Sequence, residues 1–177
     1  MLAKLRIGWI LVPLALPLLA SSADPGVLLE VDRESFELSA RDLVDGSVGP
    51  RLLVALGSPA HGTPAGSYRL RLLVRNPAWE PGRIARARGA RNVPPSPDGP
   101  MGIAKITFRE GGYAIHGGAA SLLLGKPVSL GCVRTDDADL LALIDWLERH
   151  DALGPTAPQP DGEQHQAFAR PARLVIR

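Results

Sequence analysis

Sulfur is scarce in this chain: 177 residues hold one cysteine, Cys132, and two methionines. A lone thiol cannot close an intramolecular disulfide, so no covalent staple is available to the fold. Aromatic residues are few, at 5%, and lack the spacing of a base-stacking platform, which argues against a nucleic-acid partner. Charge of one sign is missing too. With Lys4 and Arg6 set aside, the 20 Lys and Arg fall to 18 and balance the 18 Asp and Glu. No phosphate loop, dinucleotide fingerprint or HExxH motif is present, and His61, His150 and His165 show no ligand spacing relative to Cys132. Neither a metal nor a cofactor is therefore expected.

Beyond residue 23 there is no long apolar run. Within residues 1–23, Lys4 and Arg6 precede an apolar stretch from Ile7 to Leu19, and Ser21 and Ala23 follow it. The stretch is short for about 30 Å of hydrocarbon, and Pro13 and Pro17 interrupt it. Small residues at 21 and 23 suit cleavage before Asp24, so residues 1–23 read as a signal peptide. Residues 24–177 then form one exported domain, placed in the periplasm or cell wall and expected to be a monomer. Membrane attachment requires that the N-terminal segment stay uncleaved as an anchor.

What the chain has in quantity is glycine and proline, 19 and 17 residues, which suits strands, turns and long loops better than a bundle. Val27–Val31, Ser35–Leu38 and Arg51–Leu56 read as strands. Ser67–Val74 reads as another, with Tyr68, Leu70 and Leu72 alternating against Arg69 and Arg71. Residues 76–100 form a proline-rich loop of the kind that borders clefts. Strands follow at Ile103–Phe108 and Tyr113–His116. From Asp136 to Arg149, Leu140, Leu143, Ile144 and Leu147 mark one face of a helix, with acids in its first turn and Arg149 in its last. Residues 154–170 read as loop, and Leu174–Ile176 as a closing strand. The fold expected is mainly β, with one substantial helix.

Chemistry concentrates at Tyr113-Ala114-Ile115-His116-Gly117-Gly118 and at Ser129-Leu130-Gly131-Cys132-Val133-Arg134. A cysteine nucleophile acts as thiolate and needs a base or cation beside it. His116, sixteen residues upstream, can supply one if the chain loops back, and it is the expected cause of any lowering of the thiol pKa. Gly131 permits unusual backbone angles, so the amides of Leu130, Gly131 and Cys132 can converge on a developing oxyanion. A lone cysteine is more often a small buried hydrophobe, and a lone histidine more often structural.

Taken together, these motifs resemble the catalytic domain of the L,D-transpeptidases (YkuD-like), cysteine enzymes of the bacterial cell wall. That family carries a His-Gly pair followed by Ser/Thr-x-Gly-Cys-x-Arg/Asn, as here at His116-Gly117 and Ser129 to Arg134. The segment from Gly57 to Tyr68, with Thr63-Pro64-Ala65-Gly66, also fits, as do Asn76-Pro77-Ala78-Trp79 and Gly99 to Gly102. The similarity runs over residues 27–176. It implies a β-sandwich or barrel with a helix after the cysteine. Cys132 would be the nucleophile and His116 its base, oriented by the Gly117 backbone carbonyl. Leu130, Gly131 and Cys132 would supply the oxyanion hole. Ser129, Arg134, Tyr113 and Trp79 would shape substrate binding, although for Arg134 tying the loop to the sheet ranks slightly ahead.

The implied reaction is acyl transfer on peptidoglycan stem peptides, which serve as donor and acceptor. A thioester forms with loss of a terminal D-amino acid, and an amine then resolves it. Resolution by water would give an L,D-carboxypeptidase, and loss of chemistry a silent wall-binding module. Leu130 departs from the His or Arg common at its place, which bears on substrate choice. A sortase-like enzyme would have its histidine much farther from the cysteine, and papain-like peptidases reverse the order.

Overall fold

A computed structural model describes residues 26–177; the expected signal peptide lies outside the described residues. Alternation of apolar and polar residues builds the first sheet. In β1 (Val27–Asp32), Val27, Leu29 and Val31 are buried, while Leu28, Glu30 and Asp32 are less so. It pairs antiparallel with β2 (Glu37–Asp42), which pairs with β3 (Val48–Leu53). On its other side β1 lies parallel to the last strand of the chain, Ala172–Ile176, which pairs with Gly66–Arg69. Five strands result, with the chain's last strand between β1 and Gly66–Arg69.

The short β4 (Leu56–Gly57) follows β3, and the strand Gly66–Arg69 is β5. The second sheet begins with β6 (Leu72–Arg75), β7 (Ala104–Arg109) and β8 (Tyr113–His116), antiparallel in turn. After β9 (Pro127–Ser129), which lies parallel to β4, comes β10 (Val133–Arg134), parallel to β8 at the sheet edge. β11 (Leu153–Pro158) and β12 (Gln164–Phe168) complete the six strands, and Ala172–Ile176 is β13.

Both sheets share one core, with Leu29, Leu38, Leu52 and Leu174 from the first and Leu73, Ile106, Ile115 and Val133 from the second. The helix α2 (Asp137–Arg149) inserts Leu140, Leu143, Ile144 and Leu147 into it. Asp136 caps this helix, accepting the Asp139 amide at 2.8 Å. The result is a mainly β sandwich of two open sheets with one substantial helix, and not a closed barrel.

Several local expectations change. Ser67–Val74 is not one strand: β5 and β6 belong to different sheets, and the chain crosses between them at Leu70-Arg71. The alternation of Tyr68, Leu70 and Leu72 against exposed Arg69 and Arg71 holds through the crossing and breaks only beyond it, where Leu73 and Val74 are both buried. Arg51–Leu56 likewise divides into the end of β3 and β4. Residues 154–170 are not loop: they form the β11–β12 hairpin, whose β12 pairs with β6. The arm at 76–100 contains a short helix, α1 (Arg83–Ala87).

Candidate active site

The parallel edge pair β8–β10 assembles the site. Its register sets Val133 opposite Ile115 and Arg134 opposite His116, so Cys132, one residue earlier, falls opposite Ala114. Parallel strands lie about 4.8 Å apart and advance about 3.3 Å per residue, so an offset of two residues leaves the Cα atoms of Cys132 and His116 about 8 Å apart. The fold thus brings the segment that carries Cys132 alongside the strand that ends in His116.

His116 ends β8 and is 4% exposed. Its Nδ1 donates to the Gly117 carbonyl at 2.8 Å, which assigns the proton of the neutral ring to Nδ1 and leaves Nε2 an acceptor. Burial pulls its pKa from 6.5 to about 4. The Gly117 carbonyl opposes this, Arg134 and Lys105 add to it, and the Asp137 carboxylate works against it. At neutral pH the imidazole is uncharged.

Cys132 is half-buried. Its Sγ donates to the Gly112 carbonyl at 3.5 Å and accepts from the Ala114 amide. Burial raises the thiol pKa; the Ala114 amide and Arg134 pull it down without reversing that. The sequence alone predicts a thiol acidified by His116, yet His116 is not among the groups that shift Cys132. Burial instead pushes both groups toward their neutral forms, because each loses more by leaving water than nearby charges return.

The turn that carries Cys132 is fixed from below. Ser129, 4% exposed, donates its hydroxyl to the Cys132 carbonyl at 2.7 Å and accepts the Gly131 amide at 3.0 Å. This corrects the oxyanion expectation at one position. The Gly131 amide is committed to Ser129, which leaves those of Leu130 and Cys132 as candidate donors. The Ser129 hydroxyl likewise serves the turn before any substrate. Gly131 has φ +117, and a Cβ there would come within 2.6 Å of Cε1 of Tyr113. Tyr113 therefore packs against the turn that carries Cys132, its ring also under the Arg109 guanidinium at 5.1 Å.

Arg134 exchanges backbone hydrogen bonds with Ala55 at 2.8 and 2.7 Å, which ties β10 to the chain ahead of β4. Its Nε is buried with no protein partner. Trp79 is placed differently from Tyr113. It exchanges backbone bonds with Val93 at 2.9 Å inside the 76–100 arm and is half-buried there. Below the turn, the Gly57 amide donates to Thr63 Oγ1 at 2.8 Å and the Ser58 amide to the Ser129 carbonyl at 2.9 Å. The Thr63-Pro64 segment thus buttresses the strand that delivers the cysteine.

The family model of the YkuD L,D-transpeptidase catalytic domain matches residues 27–160, which takes in every element of this site. The chain belongs to that family. A probable L,D-transpeptidase, ErfK/SrfK, of Salmonella typhimurium is 37% identical over 107 residues, which are 56% of this chain and 30% of that protein. Among solved structures, L,D-transpeptidase 3 from Mycobacterium tuberculosis, in complex with a faropenem-derived adduct, has a TM-score of 0.57 at 16% identity. That match covers 86% of this chain and 60% of the other. The catalytic domain of an L,D-transpeptidase from E. faecium gives 0.56 at 14%, covering 86% and 98%. These structural likenesses show the fold. The L,D-transpeptidase fold here has one contributor the sequence reading placed only in a helix turn: Asp137. Its Oδ1 accepts the amides of Ile103 at 3.0 Å and Gly118 at 3.1 Å, next to His116. The signal available was an acid at the first position of a helix that starts three residues after the Cys-x-Arg motif.

Proposed function

We propose that this chain is an exported cysteine acyltransferase of the bacterial cell wall, acting on peptidoglycan stem peptides. What supports the reading is the Cys132 turn running directly into β10, the strand paired with β8, which ends in His116, whose Nδ1 proton is committed to the Gly117 carbonyl and whose Nε2 is an acceptor. Residues 1–23 then serve for export, and residues 24–177 work in the periplasm or cell wall.

Because thiol and imidazole rest neutral, His116 works as a general base during attack rather than as one half of a preformed ion pair. The Cys132 S–H turns from the Gly112 carbonyl to Nε2 and transfers its proton. Sulfur then bonds to the donor carbonyl carbon, and the Leu130 and Cys132 amides receive the oxyanion. The C–N bond to the terminal D-amino acid breaks, with the proton passing from His116 to the departing amine. An acceptor amine attacks the thioester and gives a proton to His116, the C–S bond breaks as the new amide forms, and His116 returns that proton to the departing Cys132 thiolate. Water in place of that amine gives carboxypeptidase activity with the same residues. Exposed Leu130, 39% accessible, presents an apolar lip where many relatives have His or Arg, and it bears on donor choice.

The test is acylation. Because a related structure carries a faropenem-derived adduct, a carbapenem or penem is the probe, with intact-protein mass spectrometry as the readout. One adduct on the wild type, absent from Cys132→Ser, is expected. A wild-type protein that gains no mass, with Cys132 also inert to iodoacetamide, would make the chain a silent wall-binding module.

A further inference from the structure

The peptide unit between Gly117 and Gly118 is bonded at both ends. Its carbonyl accepts the Nδ1 proton of His116 at 2.8 Å, and its N–H donates to Asp137 Oδ1 at 3.1 Å. A carboxylate at one end of a hydrogen-bonded chain polarises the links beyond it. Sequence and space are arranged around this contact. A Cβ on Gly117 or on Gly102 would collide with Asp137 Oδ1, so both glycines are needed for the carboxylate to approach. The second bond of Oδ1, from the Ile103 amide at 3.0 Å, holds it against the turn that leads into β7.

We infer that Asp137 is the positioning residue of the site, aligning and polarising His116 through the Gly117–Gly118 peptide, so that cysteine, histidine and aspartate form a relay with a backbone amide interposed. The inference rests on the acyl-transfer reading of His116. A carboxylate in direct contact with the ring would compete for its Nδ1 proton; one peptide away, it strengthens the carbonyl as acceptor and leaves the ring neutral. The charged and titratable groups around His116 are Lys105 from β7, Arg134 from β10, Cys132 from the turn before β10, and Asp137 from α2. Asp137 is the one anionic side chain of this set, set against two cations.

The experiment compares the full chain with Asp137→Asn, Asp137→Ala and Asp136→Ala. Nitrogen NMR of the His116 ring reports its tautomer and titration, and carbapenem acylation reports rate. Asn keeps an oxygen for the two amides and removes the charge, whereas Ala removes both. The expected order is a His116 titration midpoint lower in Asn and lowest in Ala, with a falling share of the Nδ1–H tautomer. Acylation should be slower by about tenfold in Asn, the range for loss of a group that orients an imidazole, and slower again in Ala. Asp136→Ala removes only the helix cap, so it should lower the melting temperature and leave the His116 spectrum in place. If both Asp137 variants match the wild type in ring spectrum and rate, or if Asp136→Ala moves the ring equally, the relay is overturned. Should Asp137→Ala fail to fold, the Gly118 amide proton of the wild type decides. It should lie far downfield and move as the carboxylate is protonated, and an ordinary, pH-independent shift counts against the relay. The NMR arm does not need acylation, so a wild type that ignores the carbapenem would remove the proposed function without deciding the relay.

Discussion

At the scale of single residues, the neutral pair has two consequences that differ in sign from an ion-pair site. Cys132 is held above the ordinary thiol range by burial, so its reaction with iodoacetamide should be slow at pH 7 and climb on the alkaline side of pH 9. A midpoint below pH 7 in the alkylation profile would show a resting thiolate and refute the general-base account. His116 is depressed from 6.5 to about 4. A folded pKa below the unfolded one leaves stability untouched above pH 6.5. It removes stability as pH falls from 6.5 to about 4, where the unfolded chain binds a proton that the folded chain refuses. The span corresponds to about 3 kcal/mol. His116→Gln should therefore lose less stability than the wild type across that window in urea titrations; parallel curves would contradict a buried neutral ring. The identities of these two residues were legible, because His-Gly and Ser-x-Gly-Cys-x-Arg are local patterns. Their protonation states were not, since burial is a property of the neighbours that fold over them.

The elements show where local pattern stops. Helix α2 was readable almost to the residue, because Asp136 as cap, the acids of the first turn and the leucine face all lie within one segment. β1, β7 and β8 were readable for the same reason. The β8–β10 pairing was not: β10 has two residues, too few for a period, and its place is set by a partner far back in the chain. The turn before it depends on one conformation. Gly131 sits at φ +117, and an added Cβ would press on the Tyr113 ring, so Gly131→Ala combines backbone strain with a clash and should cost about 2 kcal/mol. Adding Tyr113→Ala should restore the part due to the clash and leave the strain. Denaturant midpoints of the two singles and the double give the coupling; strictly additive losses would show that Tyr113 does not press on this turn. Acylation of Gly131→Ala should fall more steeply than stability, because the Leu130 and Cys132 amides turn with the same backbone.

For the whole molecule, the segment that read as loop is what closes the fold. The β11–β12 hairpin edges the six-stranded sheet, and at its exit Arg170 reaches back to Asp42 at the end of β2, bonding both carboxylate oxygens at 2.8 Å and the His150 carbonyl at 2.6 Å. One guanidinium thus joins the first sheet, the C-terminal end of α2 and the link into β13, which completes the first sheet between β1 and β5. Only Asp42 of this set is fully buried, its side chain 2% exposed, and the Arg170 hydrogen bonds hold its pKa near 2 against a usual 3.8. Removing one partner of such a pair leaves a buried charge without compensation, so Arg170→Ala should destabilise the protein by about 3 kcal/mol at pH 7. The double variant with Asp42→Asn should recover part of that loss. A depressed folded pKa gives stability that is complete above pH 3.8 and disappears as pH falls through about 2. The gap between wild type and Arg170→Ala should accordingly hold from pH 7 to 4 and narrow below. A gap that stays constant into acid would mean that Arg170 acts through packing alone, and that the two sheets are joined by the shared core without this ionic clasp.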